Sequence, residues 1–466
     1  MDIKQSIIAW AEAHEHEYLE DLKELIAIDS ARADALPGMP YGKNCADVLA
    51  KAQEILAKHG FASVNHDNYV ITADMNENET ELGILAHLDI VPTGDGWQRP
   101  PLEMQEDETK IYGRGTADDK GPALAAFYAM RALKELNVPL GKNCKIILGA
   151  DEECGSSDIA HYFATNPVPP KTLSPDADYP VINIEKGSLH ADATASWEKE
   201  DILPRIAWID AGIKFNVVPA AAKAKVLGLK ATDLHKVMND VAEKTGCNFF
   251  AEVDSNGVVL YAEGLNAHAS TPYEGNNALT ALVELLAALP LKGKGAEIVK
   301  GLNAMYPHGD FYGVAAGVAQ EDDISGKLTI TLDILKMDET SALALSDCRA
   351  ALCANDENLT DVLKARYTAI GLTMEDKKMN PPHHVSEESE LVQELLKVYE
   401  DYTGLKGECI AIGGGTYVHH LEGGVSFGAA FPGVNNNMHG PDEFAIKAHL
   451  IQTIEMYAQV IADICK

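Results

Sequence analysis

Two histidines and a set of carboxylates stand at points of this chain where side chains could hold metal ions. His87 and Asp89 close the run LGILAHLD, an apolar stretch that reads as a buried strand, and alternation places both side chains on one face. A metal-binding imidazole usually donates its second ring N–H to a carboxylate, and Asp89 is placed to accept it. In YGRGTADDKGP (112–122) Asp118 and Asp119 are adjacent among glycines, and in GADEECGS (149–156) Glu152 and Glu153 follow a second strand directly. Burying two adjacent carboxylates needs a cation nearby. One Glu can then bind metal while the other takes a proton from an attacking water. Asp176 precedes a third strand in SPDADYPVINIEKG, and His439 lies in NNNMHGPDE before the last helix.

Each string alone has a plainer reading: a strand-end histidine satisfied by water, a glycine turn, or a solvated acidic loop. Together they supply two imidazoles and several carboxylates at separate strand ends, where a rigid scaffold aims side chains into a cleft. Nitrogen and oxygen donors without cysteine suit zinc, and cobalt or manganese can share such ligands. Two ions ~3.5–4 Å apart need a carboxylate between them.

The elements that must position these residues alternate. Strands are expected at 82–89 and 145–150, with a helix starting near Pro122 between them, then strands at 181–187 and 426–431 and a final helix over 444–464. Such alternation predicts an α/β layer with a largely parallel sheet. The middle differs, with the paired strand patterns KLTITLDILKM and SALALSDCRAAL and the helical ATDLHKVMNDVAEKTG, up to a proline linker at NPPHH (380–384). The expected organisation is a catalytic domain over 1–189 and 383–466, with residues 190–382 inserted as a second domain.

The net charge of −33, from 38 Lys+Arg against 71 Asp+Glu, argues against nucleic acid and anionic membrane as partners. The first 26 residues read as a charged amphipathic helix rather than a signal peptide. The richest apolar stretch, ALTALVELLAALPL, carries Glu284 and falls short of a membrane span. The eight cysteines are scattered with no CxxC pair, which suits reduced thiols and a cytoplasmic location.

HLDIVP, YGRGTADDKGP, DEECGS and MHGPDE, in this order and spacing, resemble the co-catalytic zinc family of aminoacylase, carboxypeptidase G and dipeptidase V. SPDADYP, GLNAHASTP (264–272) and IGGGTYVHH (412–420) bring the chain nearest to the dipeptidase V branch. The resemblance implies a zinc-peptidase-like catalytic domain with an inserted α+β lid, and two Zn2+ per chain, one on His87 and Asp176 and the other on Glu153 and His439. Asp118 would bridge both, with a cis peptide bond after it. Glu152 would be the general base acting on a metal-bridged water, and Asp89 the partner of His87. From the lid, His268 would donate to the oxyanion, while Asn216 and Arg349 would hold the substrate's free carboxylate. Gly414, Gly415 and Thr416 would add backbone and hydroxyl contacts. The chain departs from the family at Val418-His419-His420, where an Arg often follows GGGTY, and at Gly423-Gly424, where an Asn is usual. Both bear on side-chain preference.

The function so implied is a dipeptidase acting on short unblocked peptides, with its site complete within one chain and no need of a partner subunit. An N-acyl amino acid amidohydrolase or a carboxypeptidase would share the metals and differ in the substrate end recognised. A non-catalytic metal-binding protein would have no need of Glu152.

Overall fold

The protein is described by a computed structural model covering residues 3–254 and 256–466. The chain divides into two compact units. One joins Met1–Ile184, His384–Ile410 and Gly415–Lys466; the other joins Glu185–His383 and Ala411–Gly414.

In the first unit, four strands run parallel at the centre of the sheet, in the order Asn143–Gly149, Thr80–His87, Lys171–Ser174, Gly424–Ser426. Val70–Asp74 and then Ser63–His66 extend one edge antiparallel. The expected mixed α/β architecture with a mostly parallel sheet is thus present. Alternation divides the side chains of the sheet between two layers. Leu82, Ile84 and Ala86 join the large core formed with helices Ile3–Ile26, Lys120–Glu135 and Lys447–Ile464, while Leu85 turns to the other face with Ile147, Ile159 and Tyr417. A parallel strand covered on both faces must be apolar on both, and LGILA is. Helix Lys120–Glu135 is buried on nearly every side, which explains the unbroken ALAAFYAM within it. The N-terminal helix is observed over Ile3–Ile26, and Met1 and Asp2 lie outside the described residues.

The strands expected at 82–89, 145–150 and 181–187 are observed at Thr80–His87, Asn143–Gly149 and Val181–Glu185, and two further regions differ in kind. The stretch 426–431 is two short strands: Gly424–Ser426 ends in the main sheet, and Ala429–Ala430 pairs with Ala177–Asp178. The chain turns between them at Gly428, whose φ is 78° and where a Cβ would lie 2.1 Å from the Tyr179 ring. Only glycine fits that approach. The last helix begins at Lys447 rather than at 444, because Phe444–Ile446 pairs antiparallel with Lys110–Tyr112.

The second unit is built on one antiparallel sheet of eight strands, in the order Asn248–Asp254, Gly257–Glu263, Ala221–Leu227, Arg205–Ala211, Thr329–Met337, Ser341–Ala350, Gly187–Ser196, Thr373–Met374. Strand Ala221–Leu227 shows the logic of a half-covered sheet. Ala222, Ala224 and Val226 join the core with helices Ala231–Thr245 and Ala278–Ala288, and Lys223 pairs with Asp210 on the wet face. The expected strand pair KLTITLDILKM and SALALSDCRAAL is a hairpin of Thr329–Met337 with Ser341–Ala350 in this sheet.

Candidate metal centre

Three neighbouring parallel strands end at the same edge of the first unit's sheet, and each delivers a candidate ligand there. His87 is the last residue of Thr80–His87, Glu152 and Glu153 follow Asn143–Gly149, and Asp176 follows Lys171–Ser174. The carboxyl ends of parallel strands are where open α/β sheets bind ligands. Asp118 reaches the same point from the glycine-rich turn before helix Lys120–Glu135, and its peptide bond to Asp119 is cis.

The two oxygens of Asp118 face different imidazoles. Oδ1 lies 3.0 Å from His87 Nε2, and Oδ2 lies 2.9 Å from His439 Nε2. His87 Nε2 is also 3.6 Å from Asp176 Oδ2, and His439 Nε2 is 3.1 Å from Glu153 Oε1. Two donors ~2.1 Å from a tetrahedral ion stand ~3.4 Å apart, so each of these four separations suits a pair of donors on one ion. His87, Glu152 and Asp176, and likewise His87, Asp118 and Glu153, each offer ligand atoms within 4.8 Å of one another. The cluster is strongly acidic, and Asp119 Oδ1 is buried there without a hydrogen-bond partner. A site with this donor set calls for cations.

Burial pushes the Glu152 carboxyl well above its usual range, with Asp176, Glu153 and Asp89 adding to the rise and His87 opposing it. Burial, together with Asp118 and Glu153, carries Asp176 up to about 7 against the opposing pull of His87. Hydrogen bonds to Asp118 and Glu153 take His439 up to about 10. Burial would lower His87, yet Asp176, Asp118 and Asp89 hold it well above the ordinary imidazole value. A divalent cation bound here would compete with protons for the same side-chain atoms.

Buried acids clamp three of the segments that carry candidate ligands. Asp89 accepts the N–H groups of Glu152 and Glu153, both at 3.2 Å. Its carboxylate is 3.4 Å from His87 Nδ1, whereas its own main-chain carbonyl is nearer, at 3.0 Å. Asp158 accepts from Ala150 N and Asp151 N, and Asp119 accepts from His87 N at 3.1 Å. Glu443 accepts from Arg114 Nη1 at 2.6 Å and from the N–H groups of Gly115 and Ala117 at 3.0 Å, with Asp118 N at 3.4 Å. Glu443 and Asp158 were missed in the sequence reading. The signal available was the acid at the end of MHGPDE, whose partners lie more than three hundred residues away.

Arg114 and Glu443 are both buried, so deleting one leaves an uncompensated charge. Glu443→Ala is expected to cost about 3–5 kcal/mol. Calorimetry of the metal-free chain checks this, with an earlier unfolding transition as the expected result.

The remaining candidates divide between the units. Gly415 and Thr416 belong to the first, where Thr416 Oγ1 is 3.1 Å from Ser426 Oγ. In the second, Ala269 N donates to Asn216 O at 2.9 Å, which ties the Asn216 and His268 loops together. Arg349 spends its side fork on Asp347, through Nε at 2.7 Å and Nη2 at 2.9 Å, and Nη1 donates to Gly413 O at 2.7 Å. Three of its five N–H donors are thereby used, and Gly414 follows that carbonyl directly.

Imidazoles and carboxylates at ion-bridging distances, carried on the ends of a parallel sheet, define a metal-dependent hydrolase. Residues 83–463 match peptidase family M20/M25/M40. A putative dipeptidase of Bacillus subtilis (strain 168), YtjP, is 33% identical over 453 residues, 96% of this chain and 97% of the relative. A Beta-Ala-Xaa dipeptidase of Lactobacillus delbrueckii subsp. lactis is 34% identical over 467 residues, 98% and 97% of the two chains. Human carnosine dipeptidase 1 shares the fold, with a TM-score of 0.62 at 14% identity over 100% of this chain and 99% of that one. The chain belongs to peptidase family M20/M25/M40.

Proposed function

We propose that this metal-dependent dipeptidase cleaves unblocked dipeptides with two zinc ions. The carrying observation is Asp118, whose two oxygens face different imidazoles, His87 and His439, which supports a bridging role. His87 and Asp176 complete one ligand set, and Glu153 and His439 the other. Two ions held by these residues would supply polarisation of the scissile carbonyl and activation of a water. Glu152 takes the proton from that water and hands it to the leaving amine. Asp89 holds His87 in orientation and also holds the backbone that carries Glu152.

From the second unit, acting as a lid, His268 donates to the oxyanion, and Asn216 and Arg349 grip the substrate's free carboxylate. The committed fork of Arg349 directs that carboxylate to its two remaining N–H groups, a charge-assisted contact. Gly414, Gly415 and Thr416 contribute contacts along the peptide. The free amine of the substrate lies near Asp176 and its acidic neighbours, which favours an ammonium and penalises an acyl cap.

The reading includes a monomer with no nucleic-acid or membrane partner, working in the cytoplasm. It is supported by the charge of −33, by free cysteines at all eight positions, and by the finding that no helix among the described residues is long and apolar enough to cross a membrane.

A dipeptide, its N-acetyl form and its amide, offered to the metal-loaded chain, test the proposal. The free dipeptide is expected to be cleaved well and both blocked forms poorly. Faster cleavage of the acetylated form would turn the reading to an amidohydrolase, and similar rates on dipeptide and amide would remove the carboxylate clamp. Metal binding without hydrolysis of any of them would leave only a binding protein. Arg349→Ala is expected to lose most of its kcat/KM on the dipeptide and far less on the amide, which lacks the charge to be paired.

A further inference from the structure

His268 sits in loop 264–272 of the second unit, bridged to Val217. Its Nδ1 lies 3.2 Å from the backbone N of Ser270 and 2.6 Å from the Ser270 hydroxyl. A backbone N–H can only donate, so Nδ1 must present its lone pair. In the neutral ring the proton is then on Nε2. The serine hydroxyl, free to rotate its hydrogen, donates to the same lone pair. Ser270 therefore holds the ring in one tautomer.

Ser270 is itself boxed in. A Cβ on Gly413 would stand 2.4 Å from the Ser270 Cβ, so position 413 must be glycine for the loop to close this far. The carbonyl of Gly413 is the one that accepts from Arg349 Nη1 at 2.7 Å. Gly413 thus touches the loop that sets His268 and the guanidinium proposed to hold the substrate's carboxylate.

We propose that Ser270 is a positioning residue that fixes His268 as a neutral Nε2–H donor, with Gly413 linking that donor to Arg349. The proposal rests on the reading in which His268 donates to the oxyanion. A neutral ring with Nε2–H stabilises developing negative charge by a hydrogen bond and gives up no proton, so His268 serves as an electrostatic donor while Glu152 does the proton transfer.

Ser270→Ala removes the hydroxyl and keeps the backbone N–H. The expected result is a loss of about fivefold in kcat, the scale of one net hydrogen bond, with KM nearly unchanged. In a His268→Ala chain, adding Ser270→Ala is expected to change nothing further, because the hydroxyl acts through the ring. An equal additional loss in that background would overturn the proposal. Nitrogen NMR of histidine-labelled protein, with His268→Ala used to assign the resonance, reads the ring directly and without substrate. Nδ1 is expected to give the shift of an unprotonated nitrogen and Nε2 that of a protonated one. A proton on Nδ1 would overturn the proposal whatever the kinetics. If His268→Ala retained full kcat, the oxyanion reading would fall, and the positioning role with it, while the nitrogen shifts would still report whether Ser270 holds the ring.

Discussion

Glu152→Gln is expected to retain both metal ions and the fold while losing roughly 10²–10⁴-fold in kcat, the range for removing a general base. Glutamine matches the shape of the side chain, and the backbone N–H that Asp89 accepts at 3.2 Å is untouched. What disappears is the oxygen able to take a proton. The neighbouring Glu153, 3.1 Å from His439, is assigned to a metal in the proposed site and so is not free to substitute for it. Burial, with Asp176 beside it, raises the Glu152 carboxyl in the metal-free chain. Turnover measured alongside elemental analysis checks the expectation. Near-normal kcat in a fully metallated Glu152→Gln chain would place the base elsewhere.

The strings that carry the candidate ligands are legible in the sequence because each is short and contiguous, and those of His87 and of Glu152 and Glu153 close or follow an apolar run. A strand end fixes where its side chains go, so reading LGILAHLD as a strand already places His87 at an edge. The strands and helices around them were legible for the same reason, since alternation and helical spacing are local. Less legible was whatever depends on partners far along the chain. Glu443 holds the turn that carries Asp118 from 325 residues away, through N–H groups that no pattern marks. Asp347 claims the fork of Arg349 because strand Ser341–Ala350 puts them on one face two residues apart, yet that pairing competes with the ligand role that the motif suggests. The division of 424–430 into two strands turns on the space that the Tyr179 ring leaves at Gly428. Such facts belong to packing, and only assembled coordinates express them.

Asp118→Ala is expected to have the largest effect on metal content of any single substitution in the cluster. His87→Ala and His439→Ala each remove a donor from one ligand set, so each is expected to weaken one ion and leave the other. Asp118 serves both sets, Oδ1 toward His87 and Oδ2 toward His439. Its loss also removes the negative charge between the two sites that would offset the repulsion of two cations ~3.5–4 Å apart. The side chain is almost fully buried, and the N–H groups around it remain committed to Glu443, so the turn is expected to persist without the ligand. Elemental analysis after dialysis against low zinc is expected to give two ions for the wild type, about one for each histidine variant and well under one for Asp118→Ala. The accompanying loss of activity is expected to be on the order of 10³-fold or more, because both the polarising ion and the activated water depend on the pair. An Asp118→Ala chain that keeps two ions would show that the carboxylate does not bridge. A wild-type chain that binds one ion at saturating zinc would remove the two-metal site altogether.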